Sequence, residues 1–160
     1  MSYYIVLRGP LGIGKSTIAK ALSKKLKAKH YEIDRILNKN NLKEWENGYI
    51  SVKSFIKTNE IIFEKAKKDL EKWKIVIFDA NFYFKEQIED LIKRLDYPHY
   101  IFTLKAPLIV CVDRDSKRKK TQGKDAAEAV YKKSTEFNYG IVIDTYNKEV
   151  KQVIEEILSY

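Results

Sequence analysis

The sequence predicts an α/β fold of three layers, helix on sheet on helix, and three observations carry that prediction. Apolar runs that read as strands alternate with segments of helical periodicity five times along the chain. The first of these runs is nearly continuous in apolar residues, as in a parallel sheet covered on both faces. A glycine-rich turn, Gly9-Pro10-Leu11-Gly12-Ile13-Gly14-Lys15-Ser16-Thr17, links the first strand to the first helix. Ligands of such folds bind beyond the carboxyl ends of the strands, where that turn lies.

Taken in order, Tyr3 to Leu7 is the first strand, and Ile18, Ala21, Leu22 and Leu26 then recur at helical spacing. A brief strand over His30 to Ile33 leads to Asp34. Val52, Phe55, Ile56, Phe63, Ala66 and Leu70 share one stripe, which predicts a long amphipathic helix over Val52 to Trp73. Lys74 to Phe78 is the next buried strand and ends at Asp79. Helix Glu86 to Leu95, strand Tyr100 to Leu104, helix Pro107 to Lys119, strand Gly140 to Ile143 and helix Lys148 to Leu158 complete the pass. Asn38 to Tyr49 and Lys117 to Lys124 are the least regular stretches. With 160 residues and no internal repeat or linker, one domain spanning 1–160 is expected.

Composition narrows the function classes. No apolar run approaches the roughly 18 residues of a membrane span, and the amino end passes into a strand without the features of a secretory leader. A cytoplasmic location and no membrane partner are expected. One cysteine, Cys111, cannot make an internal disulfide, and with only His30 and His99 beside it there is no structural zinc set. The formal net charge of +9, from 31 basic and 22 acidic residues, suits an anionic partner such as a nucleotide or nucleic acid. Lysines on helix faces serve solubility equally well.

The turn at Gly9 to Thr17 satisfies G-x-x-x-x-G-K-[ST] between a predicted strand and a predicted helix. Gly9, Gly12 and Gly14 let the backbone N–H groups of the loop, those of Leu11 and Ile13 among them, turn inward around a phosphate. The helix N-terminus adds positive potential, Lys15 reaches the β- and γ-phosphates, and the Ser16 hydroxyl can ligate Mg²⁺. Asp79, at the tip of an apolar strand, fits the carboxylate that holds magnesium, although strands also end in aspartate for its turn-forming character. Asp34 is placed either to orient or deprotonate an acceptor hydroxyl or to cap the helix that begins at Arg35. Glu32, two residues earlier, shares its face if the strand continues and is a reserve candidate.

Six of the eleven residues from Arg114 to Lys124 are basic. Arg114 and Arg118, four apart, are expected on one helical face as a phosphate clamp. Lys117, Lys119 and Lys120 read as solvated lid residues. Asp144-Thr145 ends the last strand, where a turn-former and a nucleotide contact are both admissible.

These pieces, in this order, resemble the P-loop kinase superfamily, an AAA-type group of ATP-binding kinases. Its polynucleotide-kinase-like branch is the most similar, and the chain also looks akin to zeta-toxin, chloramphenicol and gluconate kinases. Four segments carry the resemblance: Gly9 to Thr17, Tyr31-Glu-Ile-Asp34-Arg35, Ile77-Phe-Asp79-Ala-Asn81, and Ala106 to Arg118. It implies a P-loop NTPase fold with a five-stranded parallel sheet of order 2-3-1-4-5, a small helical lid over about 114–133, Mg-ATP as donor and an acceptor hydroxyl near Asp34. It also places Thr145 near the adenine, with Lys15, Arg114 and Arg118 over the transferring phosphate and Arg35 and Asn81 toward the acceptor. Relatives often carry a second aspartate where Arg35 stands. No Asn-Lys-x-Asp guanine signature is present, since Glu149 and Val150 follow Asn147-Lys148. Two acceptors compete, a small metabolite or nucleoside and the 5′-hydroxyl of a nucleic acid. From another class, an ATP-binding switch with slow ATPase activity is the rival.

Overall fold

β1 (Tyr4–Arg8) lies at the centre of a parallel sheet in the computed structural model, which describes residues 1–160 apart from Trp73 and Lys120. On one side it pairs with β5 (Val76–Ala80), which pairs in turn with β2 (Lys29–Glu32). On the other it pairs with β6 (His99–Lys105), which pairs with β7 (Ile141–Asp144). Between β2 and β5 the chain also forms a two-stranded antiparallel hairpin, β3 (Trp45–Glu46) and β4 (Tyr49–Ile50). Counting only the five sheet strands in chain order, the arrangement is 2-3-1-4-5, as expected.

The alternation of side chains along β1 sends Tyr4 and Val6 to one apolar core and Ile5 and Leu7 to the other. On the first face the cover is α2 (Ile33–Lys39), α3 (Val52–Glu71) and α4 (Lys85–Arg94). On the second it is α1 (Lys15–Leu26), α5 (Leu108–Ser116) and α7 (Val150–Leu158). Burial of the sheet on both faces explains why its central strands read as unbroken apolar runs.

Ser51 caps α3 by accepting a hydrogen bond from the Ser54 amide at 3.2 Å. The buried stripe of this helix runs through Phe55, Ile62, Ala66 and Leu70. Ile62 thus takes the inward place expected of Phe63, which is partly buried at the edge. The expected end of this helix at Trp73 falls outside the described residues, as does the lid position expected of Lys120.

Three local expectations are corrected. β2 stops at Glu32 and α2 begins at Ile33, so Asp34 is neither at a strand tip nor a helix cap but in the first turn of α2. Glu32 holds the capping position, and with the strand ended it does not share a face with Asp34. α5 ends at Ser116, so Arg118 leaves the helix that carries Arg114. The cause is Asp115, buried to 1% exposure, which accepts hydrogen bonds from Arg118 at 3.3 Å and Thr121 at 2.9 Å and draws the chain out of helical geometry. Beyond that turn stands α6 (Lys124–Ser134), which is a separate helix within the expected lid.

Candidate active site

The carboxyl ends of β1, β2 and β5 open on a cavity of about 470 Å³. Its floor is the loop after β1. Gly14 adopts a left-handed conformation (φ 97°) to start α1, and Ile18 N–H closes the first turn on Gly14 O at 2.9 Å. Gly12 (φ 75°) lies so close to α5 that a Cβ there would overlap the carbonyl of Cys111. Leu11, Gly12, Gly14, Lys15, Ser16 and Thr17 line the cavity, while Gly9 and Ile13 stay off its wall and Ile13 packs into the core.

Lys15 is 8% exposed and its Nζ donates to Pro10 O at 2.8 Å, which bends the side chain over the loop. Burial pulls its pKa down to about 8, against the opposing pull of Asp34 and Asp79. The ammonium keeps its charge at neutral pH and lies where a triphosphate on the loop would raise its pKa again.

Asp79 is the fourth residue of β5 and is 5% exposed. Ser16 Oγ donates to its Oδ1 at 3.2 Å, so the first turn of α1 and the end of β5 meet at one hydroxyl and one carboxylate. Both residues line the cavity. Two hard oxygen donors side by side at a phosphate loop suit a small hard cation such as Mg²⁺. The other carboxylate oxygen, Oδ2, is hydrogen-bonded to His30 Nε2 from the neighbouring strand β2. His30 played no part in the sequence expectations. The signal was the strand order itself, because β2 beside β5 sets His30 opposite Ile77 and so diagonal to Asp79.

Asp34 stands on the cavity wall, open to water through the mouth but crowded by protein elsewhere. Loss of water raises its carboxyl pKa above the ordinary value. Asp79 and Glu32 push the same way, and Lys15 and Lys43 oppose them. Asn81 also lines the cavity at 7% exposure, and its Oδ1 is buried without a protein partner. Arg35 is exposed and absent from the wall, since the next residue of a helix points about 100° away. Thr145 is buried at the end of β7, where its amide and hydroxyl both donate to Lys105 O at 2.8 and 3.1 Å; it joins two strands and does not reach the cavity.

Arg114 and Arg118 both reach the cavity despite the broken helix. Arg114 Nη1 donates to Ile13 O at 3.4 Å and so lies over the loop. Opposite them, the hairpin contributes Trp45, Tyr49 and Ile50, and α6 contributes Ala126, Ala129 and Val130. The hairpin and α6 meet where the Tyr49 hydroxyl donates to Ala129 O at 3.4 Å. The α6 wall belongs to the helical lid expected over about 114–133, but the hairpin was not expected, because two strands of two residues each leave little periodicity to read.

A family model described as an AAA domain matches residues 5–137. L-seryl-tRNA(Sec) kinase of Methanococcus maripaludis is 27% identical over 170 residues, covering 97% of this chain and 64% of that protein. The chain therefore spans somewhat under two thirds of the length of that relative. Among solved structures, a sugar kinase from Janibacter sp. HTCC2649 superposes with a TM-score of 0.81 at 19% identity, over 100% of this chain and 94% of that one. The Mycobacterium tuberculosis APS kinase, solved with AMPPNP and APS, gives 0.79 at 15% identity, over 99% and 96%. A gluconokinase from Sinorhizobium meliloti 1021 gives 0.75 at 15%, over 98% and 89%. At these identities the structures speak for the fold alone, and the family match covers most of the chain. With its phosphate loop, its paired Ser16 and Asp79, and this match, the chain belongs to the AAA domain family.

Proposed function

We propose that the chain transfers the γ-phosphoryl group of ATP to a hydroxyl of a small metabolite or nucleoside. The observation that carries this reading is a single cavity walled by the phosphate loop at one end and by Asp34, Asn81 and the aromatic hairpin at the other. A nucleotide switch needs the first end only. In this reading ATP lays its phosphates along the loop, with Lys15 against the β- and γ-phosphates and Arg114 and Arg118 over the charge that spreads across the transferring group. Ser16 and Asp79 would hold Mg²⁺, which when bound neutralises phosphate charge and fixes the triphosphate's shape. The acceptor oxygen bonds to the γ-phosphorus as the bond from that phosphorus to the bridging oxygen breaks. Its proton passes to the Asp34 carboxylate, and ADP leaves.

A second reading places the acceptor hydroxyl at the 5′ end of a nucleic acid or on a group that an RNA carries. The relative named as a kinase of L-seryl-tRNA(Sec) and the net charge of +9 favour it. A panel with labelled ATP tests both: sugars, nucleosides and free serine, then a 5′-hydroxyl oligonucleotide and seryl-tRNA. Label on a small acceptor supports the first reading, and label confined to the nucleic acids supports the second. ATP hydrolysis without transfer to any of them would leave only the switch.

A further inference from the structure

The contact of His30 with Asp79 has no part in the reaction scheme above, and its position gives it a task. His30 is largely buried, with 13% of its side chain exposed, and it is absent from the cavity wall. It therefore cannot touch nucleotide or acceptor directly. Its Nε2 engages Asp79 Oδ2, while the Ser16 hydroxyl engages Oδ1. The carboxylate is thus gripped from both sides, by the first turn of α1 and by β2. A carboxylate alone at a strand end has two rotatable bonds, and a cation reached through it is held only as firmly as they are. A donor on the far oxygen fixes both and leaves the other oxygen turned toward Ser16.

We propose that His30 is a positioning residue that orients Asp79 for Mg²⁺, a role resting on the reading of Ser16 and Asp79 as the magnesium pair. The imidazole donates through Nε2–H, and the metal feels it only through Asp79. Partners of this outer kind are worth on the order of 10- to 100-fold in metal affinity elsewhere. The same geometry sets the strand order to use, since only a β2 packed directly against β5 brings a histidine to this carboxylate.

Calorimetry of ATP binding across a magnesium titration tests this without any turnover. Wild type, His30→Leu and His30→Gln are compared, the glutamine amide being able to donate where leucine cannot. The Mg²⁺ concentration that half-saturates the enhancement of ATP binding is expected to rise about tenfold or more in His30→Leu. ATP binding in chelator should stay unchanged, and His30→Gln should recover most of the loss. An unchanged magnesium requirement in His30→Leu, or a glutamine variant no better than leucine, overturns the proposal. Should the leucine variant fail to fold, ¹⁵N-histidine spectra of the wild type decide: Nε2 protonated toward Asp79 is expected, and a bare Nε2 rules the role out. If wild type binds no ATP with or without magnesium, the kinase reading falls instead.

Discussion

Asp34 sits in a cavity whose protein walls hold its carboxyl above the ordinary range, and the proposed transfer needs the ionised form. The rate is therefore expected to fall on acidification at a pH above the usual aspartate value of about 4. That acid limb should vanish in Asp34→Asn along with a loss of about 10²- to 10⁴-fold in kcat, while ATP binding by calorimetry persists. An unchanged limb in the asparagine variant would reassign it to another group. For stability the sign is opposite to that of a salt-bridged acid. The folded state keeps this proton longer than the unfolded chain does, so the contribution of Asp34 is full below the unfolded pKa and is lost as pH rises through the folded one. Gly12 supplies the second test at this scale. Its positive φ and its closeness to the Cys111 carbonyl leave no room for a side chain, so Gly12→Ala should displace the loop. A loss of transfer rate on the order of 100-fold is expected, with weakened ATP binding by calorimetry, and binding within threefold of wild type would contradict the proposed cradle.

Among the elements, the junction of β1, β6 and the end of α6 depends on one buried cation. Arg8 is fully buried, and no carboxylate is recorded against it among the described residues. It donates to Phe82 O at 3.2 Å, Thr103 Oγ1 at 3.2 Å, Phe137 O at 3.1 Å and Ser134 O at 2.7 Å, and its guanidinium lies 4.3 Å from the centre of the Phe137 ring. Burial lowers its pKa to about 10, still well above neutrality. Arg8→Met fills the space but strands three carbonyls, and it should cost about 3 kcal/mol, read as a lower urea midpoint at constant slope. A midpoint within error of wild type would show that water replaces the guanidinium. Arg8 was not legible in the sequence, where it closed an apolar run as any polar residue might. The elements were legible where a period was long enough to repeat: the central strands, α1, α3 and α7 fall within a few residues of their predicted bounds. The hairpin at Trp45 to Ile50 and the break after Ser116 were not, because each is decided by a few particular contacts, at the break those of Asp115 with Arg118 and Thr121, and by no repeating pattern. The sequence marked Lys15 and Ser16 through the loop motif and Asp79 and Asn81 through the end of a strand, and it marked Asp34 although that residue proves to lie in α2; it passed over His30, which reaches the site only through the neighbouring strand.

At the scale of the whole molecule, every described helix sends side chains into one or both of the apolar cores that flank the same sheet. Denaturation by urea is accordingly expected to proceed in a single transition, with fluorescence and circular dichroism giving coincident midpoints. Two separated midpoints would mean that the lid and hairpin, or another part, fold apart from the sheet. No described helix is long and apolar enough to cross a membrane. The surface instead carries the excess of positive charge, spread over lysines on several helices.

The contact between Gly12 and the backbone at Cys111 reaches further than the fit of one loop. The apex of the proposed phosphate loop leans against the very helix that bears Arg114, so a displacement of either bears on the other. Added bulk at Cys111, by pushing the same wall from behind, should harm the loop as surely as a methyl group planted inside it.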